Sequence, residues 1–442
     1  MNDQRPLFII ARTFGAASLL GITLLLSGAS IAAPVKPVPE SEKPESARKV
    51  FEQSRSRIYQ IRTLTVDGGA QNSTGSGFLV EKDGLIATNW HVISDYILDP
   101  GRYRLEAIRT DGRKIEVNVV AIDSMNDLAL LKADGETGNP FSIHQSLLVK
   151  GEKGFSLGNP SGIGFTVVEG IYNGVAEKSL SGVFHFTAAI NAGMSGGPAL
   201  SANGNVFGVN VARMTDGNLI SFVVPVEKLT ALMAMARTAN PTAKSLLEEA
   251  RQGMIDGQEE IANDVIGSPL KVKEIGIFVV PVESGSASRC GGTSKNEEEE
   301  GYAREWVFCV AKKSITAGGA HTVAVMWSEY RVVKNLGLDA YRFAARISDH
   351  LTGDKDDGGD RKIVGSYQCR TSFVKLKGGT VRATLCKRPY KQLVGLIDAH
   401  LRLATVDSSE AALIGDLHLR GFTESNVKRL ARWYLETIEW KR

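Results

Sequence analysis

Cysteine is scarce in this chain and absent from its first 289 residues. The four that occur, Cys290, Cys309, Cys369 and Cys386, all lie in the C-terminal half. No two of them form a C-x-x-C pair, which argues against a zinc knuckle. None follows the N-terminal apolar run, which argues against a lipid-modified N-terminal cysteine. An excess of one charge is lacking too: 52 Lys and Arg against 49 Asp and Glu leave +3 over 442 residues. That is too little to mark a surface for nucleic acid or an anionic membrane. No internal repeat is found. An acidic stretch, Asp354 to Asp360, resembles a calcium loop at first glance, but the twelfth position holds Gly365 where that loop needs glutamate. Neither a metal nor a cofactor is expected.

What is present is a chain too long for one core, so two or three domains are expected. Arg5 and Arg12 precede an apolar stretch, Phe14 to Leu26, followed by the small residues Ser30-Ile31-Ala32. This reads as an export leader, residues 1–32, cut after Ala32. The alternative is an uncleaved anchor, and N-terminal sequencing of the exported protein separates the two. With the leader cut, no stable membrane span is expected, and the protein is periplasmic or secreted. An even cysteine count in an oxidising compartment predicts disulfides. The pairing expected is Cys290–Cys309 and Cys369–Cys386, because each closes a short loop; four free buried thiols are the alternative.

Residues 33–47 form a proline-rich linker, and a short helix follows from Ser46 to Arg57. A domain is expected over residues 48–240, and within it, from Ile58 to about Val226, the pattern is one of short strands and turns. Gly77 to Val80 and Leu85 to Thr88 flank the turn Lys82-Asp83-Gly84, a hairpin signature. Further strands are expected around Lys114 to Ile122, Leu128 to Leu131, Val206 to Val211 and Ser221 to Val224, and a helix from Val226 to Arg237. Many short strands at regular intervals indicate an all-β barrel or sandwich. Asn240-Pro241 marks a break. Residues 243–442 mix strands with a helix from Ser245 to about Asp256 and another from Glu424 to Ile438, capped by Thr423. This second region reads as a mixed α+β domain carrying both disulfides.

The chemistry is concentrated in three places. Gly193-Met194-Ser195-Gly196-Gly197-Pro198 sets a serine among glycines, so that its hydroxyl is exposed and its own N–H can converge with that of Gly193. Nucleophilic serine catalysis also needs a base and a carboxylate that holds the base in the right tautomer. Of seven histidines, only His91 stands where a buried strand ends and a side chain can enter a cleft. Asp127 directly precedes the apolar strand Leu128 to Leu131. Alone, each is more often structural, as a core histidine or a turn aspartate. Their order and strand-edge settings are what carry the reading.

With those residues in view, the sequence resembles trypsin-like serine peptidases of the chymotrypsin fold, and most closely the bacterial HtrA/Deg-like branch. The matching stretches are Gly75-Ser76-Gly77-Phe78, Thr88-Asn89-Trp90-His91-Val92, Asp127-Leu128-Ala129-Leu130-Leu131, Gly158-Asn159-Pro160 and Ala189 to Pro198. The resemblance covers roughly residues 50 to 238. It implies two six-stranded β-barrels with the site between them. Ser195 would be the nucleophile, His91 the general base and Asp127 its orienting carboxylate, with an oxyanion hole formed by the N–H groups of Gly193 and Ser195. It also implies that Ala189 stands where relatives that select basic residues have aspartate. With Ile190, Ala212 and Ile220 as neighbours, small or medium aliphatic residues are expected before the cut. Protein or peptide substrates are the expected partners. Met194 departs from the asparagine common in that branch, and no PDZ pattern follows, so oligomeric state is not carried over. The competing class is a peptide-binding or chaperone-like protein that holds chains without cutting them.

Overall fold

The computed structural model describes residues 47–441, apart from 144–147, 177–181, 214–219, 238–240, 285–287, 298–299, 312–313, 319–320, 353–360 and 362. The leader, most of the linker and the acidic stretch 354–360 therefore lie outside the described residues. Among those described, no helix is long and apolar enough to cross a membrane.

The first region runs α1 (Ala47–Ser54), β1 (Ile58–Thr65), β2 (Gln71–Glu81), β3 (Leu85–Thr88), α2 (Trp90–Leu98), β4 (Tyr103–Arg109), β5 (Lys114–Glu116), β6 (Asn118–Asp123) and β7 (Leu128–Lys132). Its strands form a seven-stranded sheet in the order β5-β4-β1-β2-β3-β7-β6. This differs from the six-stranded barrel the resemblance implies, and the reason is local. β5 and β6 are consecutive in the chain and flank the buried Val117, but one pairs with β4 and the other with β7. The segment thus borders both edges of a curled sheet, and the ladder is interrupted where it passes between them.

The second region runs β8 (Lys153–Gly158), β9 (Thr166–Val175), β10 (Phe184–Phe186), β11 (Pro198–Ser201), β12 (Val206–Arg213), β13 (Ser221–Pro225) and α3 (Val226–Ala236). Here six strands close into a barrel. Its core holds an aromatic cluster: Phe207 meets Tyr172 and Phe186 edge to face, with ring centroids 5.8 and 5.5 Å apart. That geometry suits ring quadrupoles better than face-to-face stacking. α3 presents Leu229, Leu232 and Met233 to a core shared with Phe78, Leu130, Phe155 and Leu200, which ties the sheet to the barrel.

Beyond residue 240 come α4 (Ala243–Gly267), β14 (Leu270–Ile275), β15 (Phe278–Ser284), β16 (Ser288–Glu297), β17 (Tyr302–Ala311), β18 (Ile315–Thr316), β19 (Thr322–Val323), β20 (Val325–Asn335), α5 (Ala340–Thr352), β21 (Gln368–Leu376), β22 (Gly379–Pro389), β23 (Leu396–Thr405), β24 (Ala411–Thr423), α6 (Glu424–Glu436) and β25 (Glu439–Trp440). The region is β-rich, dominated by an antiparallel sheet in the order β16-β17-β20-β24-β23-β22-β21. Thr423 caps α6 as the sequence predicts, accepting from the N–H of Asn426 at 3.3 Å.

Both expected disulfides are present. Cys290 faces Cys309 across β16 and β17, and Cys369 faces Cys386 across β21 and β22. Each therefore joins an outermost strand to its neighbour. Closing loops with sequence separations of 19 and 17 residues constrains the unfolded chain by about 3 kcal/mol apiece. Replacing both members of one pair with alanine should lower unfolding stability by about that amount, seen as an earlier midpoint in a urea titration.

Candidate active site

α2 begins at Trp90, so the N–H of His91 belongs to its first turn and has no partner within the helix. Asp127 supplies one. Its Oδ1 accepts that N–H at 2.8 Å, while its Oδ2 lies 2.6 Å from Nδ1 of the His91 ring. One carboxylate thus holds one residue by backbone and side chain together, at a helix end where the dipole favours negative charge. The acceptor fixes the proton on Nδ1 and leaves Nε2 as the basic nitrogen. Taking the imidazole out of water disfavours its charged form, but the charge and hydrogen bond of Asp127 outweigh this and hold its pKa above the ordinary histidine value.

Asp127 reaches this position through an unusual backbone. Its φ is +57°, in the left-handed region that aspartate tolerates better than most residues. The turn is held by Asn126, whose N–H and side-chain amide bond Asp123 at 2.9 and 2.6 Å. Asn89 donates to the Asp127 carbonyl at 2.7 Å. Strained conformations of this kind persist where the surroundings impose them, and they concentrate at functional sites.

The serine loop belongs to the closed barrel of the second region and leads into β11. Gly193 and Gly196 have φ of +92° and +84°, conformations that glycine adopts without strain. The N–H groups of Met194, Gly196 and Gly197 bond Asn191 O, Asn210 O and Met194 O. Those of Gly193 and Ser195 bond nothing among the described residues. The loop therefore leaves these two donors available. The Ser195 hydroxyl donates to Val211 O at 3.2 Å, and in this conformation it does not bond His91. Met194 is fully buried in the barrel's aromatic cluster and acts as an apolar anchor beneath the turn.

Ser76 carries a role the sequence reading does not assign. It is fully buried, donates to Gly193 O at 2.7 Å, and accepts the Asn159 N–H at 2.9 Å. Its own N–H donates to Ser195 O at 2.7 Å. One residue of β2 thus pins the serine loop of the barrel to the sheet that carries His91. The flanking glycines are the signal that could have revealed it: a Cβ on Gly75 would lie 2.5 Å from Val92 Cγ2, and one on Gly77 would lie 2.9 Å from Ala87 O. Ser76→Ala leaves the Asn159 N–H buried without an acceptor. It should cost about 1–3 kcal/mol of stability, measured by urea unfolding.

The residues expected to line a specificity pocket are placed unevenly. Ala189 is exposed, Ile220 half-buried, and Ile190 buried within the aromatic cluster. The side chain of Ala212 lies outside the described residues. On β23 and β24, His400, Asp416 and His418 bring possible metal-ligating atoms within 4.8 Å of one another. Arg402 already donates to Asp416 at 2.6 Å, with His400 beside it at 2.9 Å. Burial works against the Asp416 carboxylate, but these two partners more than offset it and hold its pKa at about 2. The aspartate's charge is therefore balanced within the protein.

Residues 75–209 match the model of the trypsin-like peptidase domain. Among similar proteins, HhoB of Synechocystis sp. is 36% identical over 36% of this chain and 38% of its own length. Serine protease HTRA1 of Xenopus laevis is 31% identical over 41% of this chain and 40% of its own. The DegP-like protein of Bartonella henselae, named a periplasmic serine endoprotease, is 31% identical over 49% and 42%. The chain thus spans less than half the length of these three relatives. Matching sequence, paired His91 and Asp127, and a glycine-rich serine loop coincide in one segment: residues 75–209 match a trypsin-like peptidase domain and are similar to HtrA/Deg-like serine proteases.

Proposed function

We propose that the protein is an exported serine endopeptidase that cuts peptide bonds through an acyl-enzyme intermediate. The carrying observation is the pairing of His91 Nδ1 with Asp127 at 2.6 Å, in the same region as a loop whose Gly193 and Ser195 N–H groups make no bond among the described residues. Ser195 attacks the scissile carbonyl, His91 takes its proton and returns it to the leaving amine, and Asp127 stabilises the imidazolium between the two events. The two free N–H groups receive the developing oxyanion.

The finer assignments belong to the same reading. Residues 1–32 are the leader, 33–47 the linker, 48–240 the peptidase domain, and 243–442 an α+β domain. Export to the periplasm or beyond is supported by two disulfides and by a relative named as periplasmic. The exposed, uncharged Ala189 supports cleavage after small or medium aliphatic residues. Strong cleavage after Lys or Arg in a peptide library would overturn that preference.

A second reading, a peptide holder that does not cut, draws on the Ser195 hydroxyl being turned to Val211 O. A fluorophosphonate probe decides between them. Labelling at Ser195 supports the enzyme, and failure to label the folded chain supports the holder.

A further inference from the structure

His91 and Asp127 are both backed by segments from beyond residue 240. Trp90, the neighbour of His91 in α2, is fully buried. Its indole N–H donates to Thr316 O of β18 at 2.8 Å, across 226 residues of sequence. In the turn after β18, Gly318 comes so near α2 that a Cβ there would lie 2.8 Å from Asp95 Oδ1. The Asp127 turn is backed by α4: Ser124 donates to Ala250 O at 3.2 Å. A Cβ on Gly253 would lie 2.3 Å from Ser124 Oγ. The two supports also touch each other, since a Cβ on Gly257 of α4 would lie 2.5 Å from Ile315 Cδ1 of β18. Trp90, Ile93 and Ile97 share one apolar core with Ala250, Met254, Ile315 and Ala317.

We propose that α4 and the β18–β19 hairpin form a built-in buttress that sets the mutual position of His91 and Asp127, with Trp90 as the positioning residue that transmits it. The inference rests on the serine endopeptidase reading and assigns the C-terminal region a task in that same site. The pair is joined from the front by the β3–β7 ladder and by the bonds of Asp127 and Asn89; the buttress packs behind the two parts that lie beyond that ladder, a helix start and a turn with a left-handed aspartate. A displacement of about 1 Å in such a pair is enough to cost 10- to 100-fold in rate. Glycine at 253, 257 and 318 is what allows the approach, because any side chain at 253 or 257 would have to displace Ser124 or Ile315.

The test uses the full chain. Trp90→Phe keeps an aromatic ring but removes the donor to Thr316 and part of the buried ring that packs against the buttress. Gly257→Leu, remote from the reacting groups, pushes α4 off β18. Both are expected to lower kcat about tenfold or more with KM little changed. Both should also shift or broaden the low-field proton resonance of the His91–Asp127 hydrogen bond. Circular dichroism establishes that each variant is folded. Should either fail to fold, Gly257→Ala, which only the flexible end of Ile315 opposes, serves in its place. Folded variants with wild-type kcat and an unmoved resonance would overturn the buttress. A wild-type chain that neither cleaves peptides nor takes the fluorophosphonate label would instead overturn the endopeptidase reading, while a resonance that moves in the variants would still report the buttress.

Discussion

Ser195→Ala is expected to lower kcat/KM for peptide-bond hydrolysis by roughly 10⁴-fold or more, with the fold intact. The separation of the two effects follows from the geometry. Among the described residues the hydroxyl makes a single hydrogen bond, to Val211 O at 3.2 Å, and Ser195 is only half-buried. The loop's shape depends instead on backbone bonds that alanine retains, including Ser76 N to Ser195 O at 2.7 Å. The urea midpoint should therefore stay near that of the wild type while cleavage and fluorophosphonate labelling vanish. A variant that keeps more than a few per cent of the activity would remove Ser195 from the mechanism.

The second large effect is expected at Asp127. Asparagine there is nearly isosteric, yet it offers one acceptor where the aspartate uses two, for the backbone N–H and the ring Nδ1 of His91. Its amide group would face one of those donors and favour the wrong imidazole tautomer. A loss of roughly 10⁴-fold in kcat near neutral pH is expected. The pH profile supplies the sign. In the proposed role His91 can act as a base only when neutral, and Asp127 holds its pKa above the ordinary value. The wild-type kcat/KM should fall as pH drops through that raised pKa. With the carboxylate gone the imidazolium loses its partner, so the acid limb of Asp127→Asn should move to lower pH. An unmoved limb together with activity within tenfold of the wild type would refute the pairing as the source of catalysis.

Local chemistry made His91, Asp127 and Ser195 candidates before any fold was known, because each stands in a short stretch of particular residue types. The 82–84 turn and the two cysteine pairs were legible for the same reason: each closes over few residues. α2 was not. Trp90 to Leu98 is an apolar run that buries Trp90, Val92, Ile93, Ile97 and Leu98, and periodicity alone cannot separate such a run from a strand. α4 reads as ending near Asp256 but extends to Gly267. Its glycines look like helix stops in isolation, whereas their cause is the approach of Ser124 and Ile315 from distant parts of the chain. β24 escaped because it is buried on both faces over most of its length, so the alternation that marks a half-exposed strand is missing. Ser76 was hidden for a related reason: its partners Gly193 and Asn159 meet it only after two separate sheets have been brought together.

The placement of the two disulfides has a consequence for the survival of the molecule among its own copies. Proteases take their substrates as extended segments, and the outer strands of a sheet are the segments most easily peeled free. Here β16 and β21, the two margins of the large sheet, are each riveted to the strand beside them. If the chain is the endopeptidase proposed above, its oxidised form would withhold both margins from the clefts of neighbouring copies. Resistance to self-digestion would then depend on the redox state of the compartment as much as on folding stability.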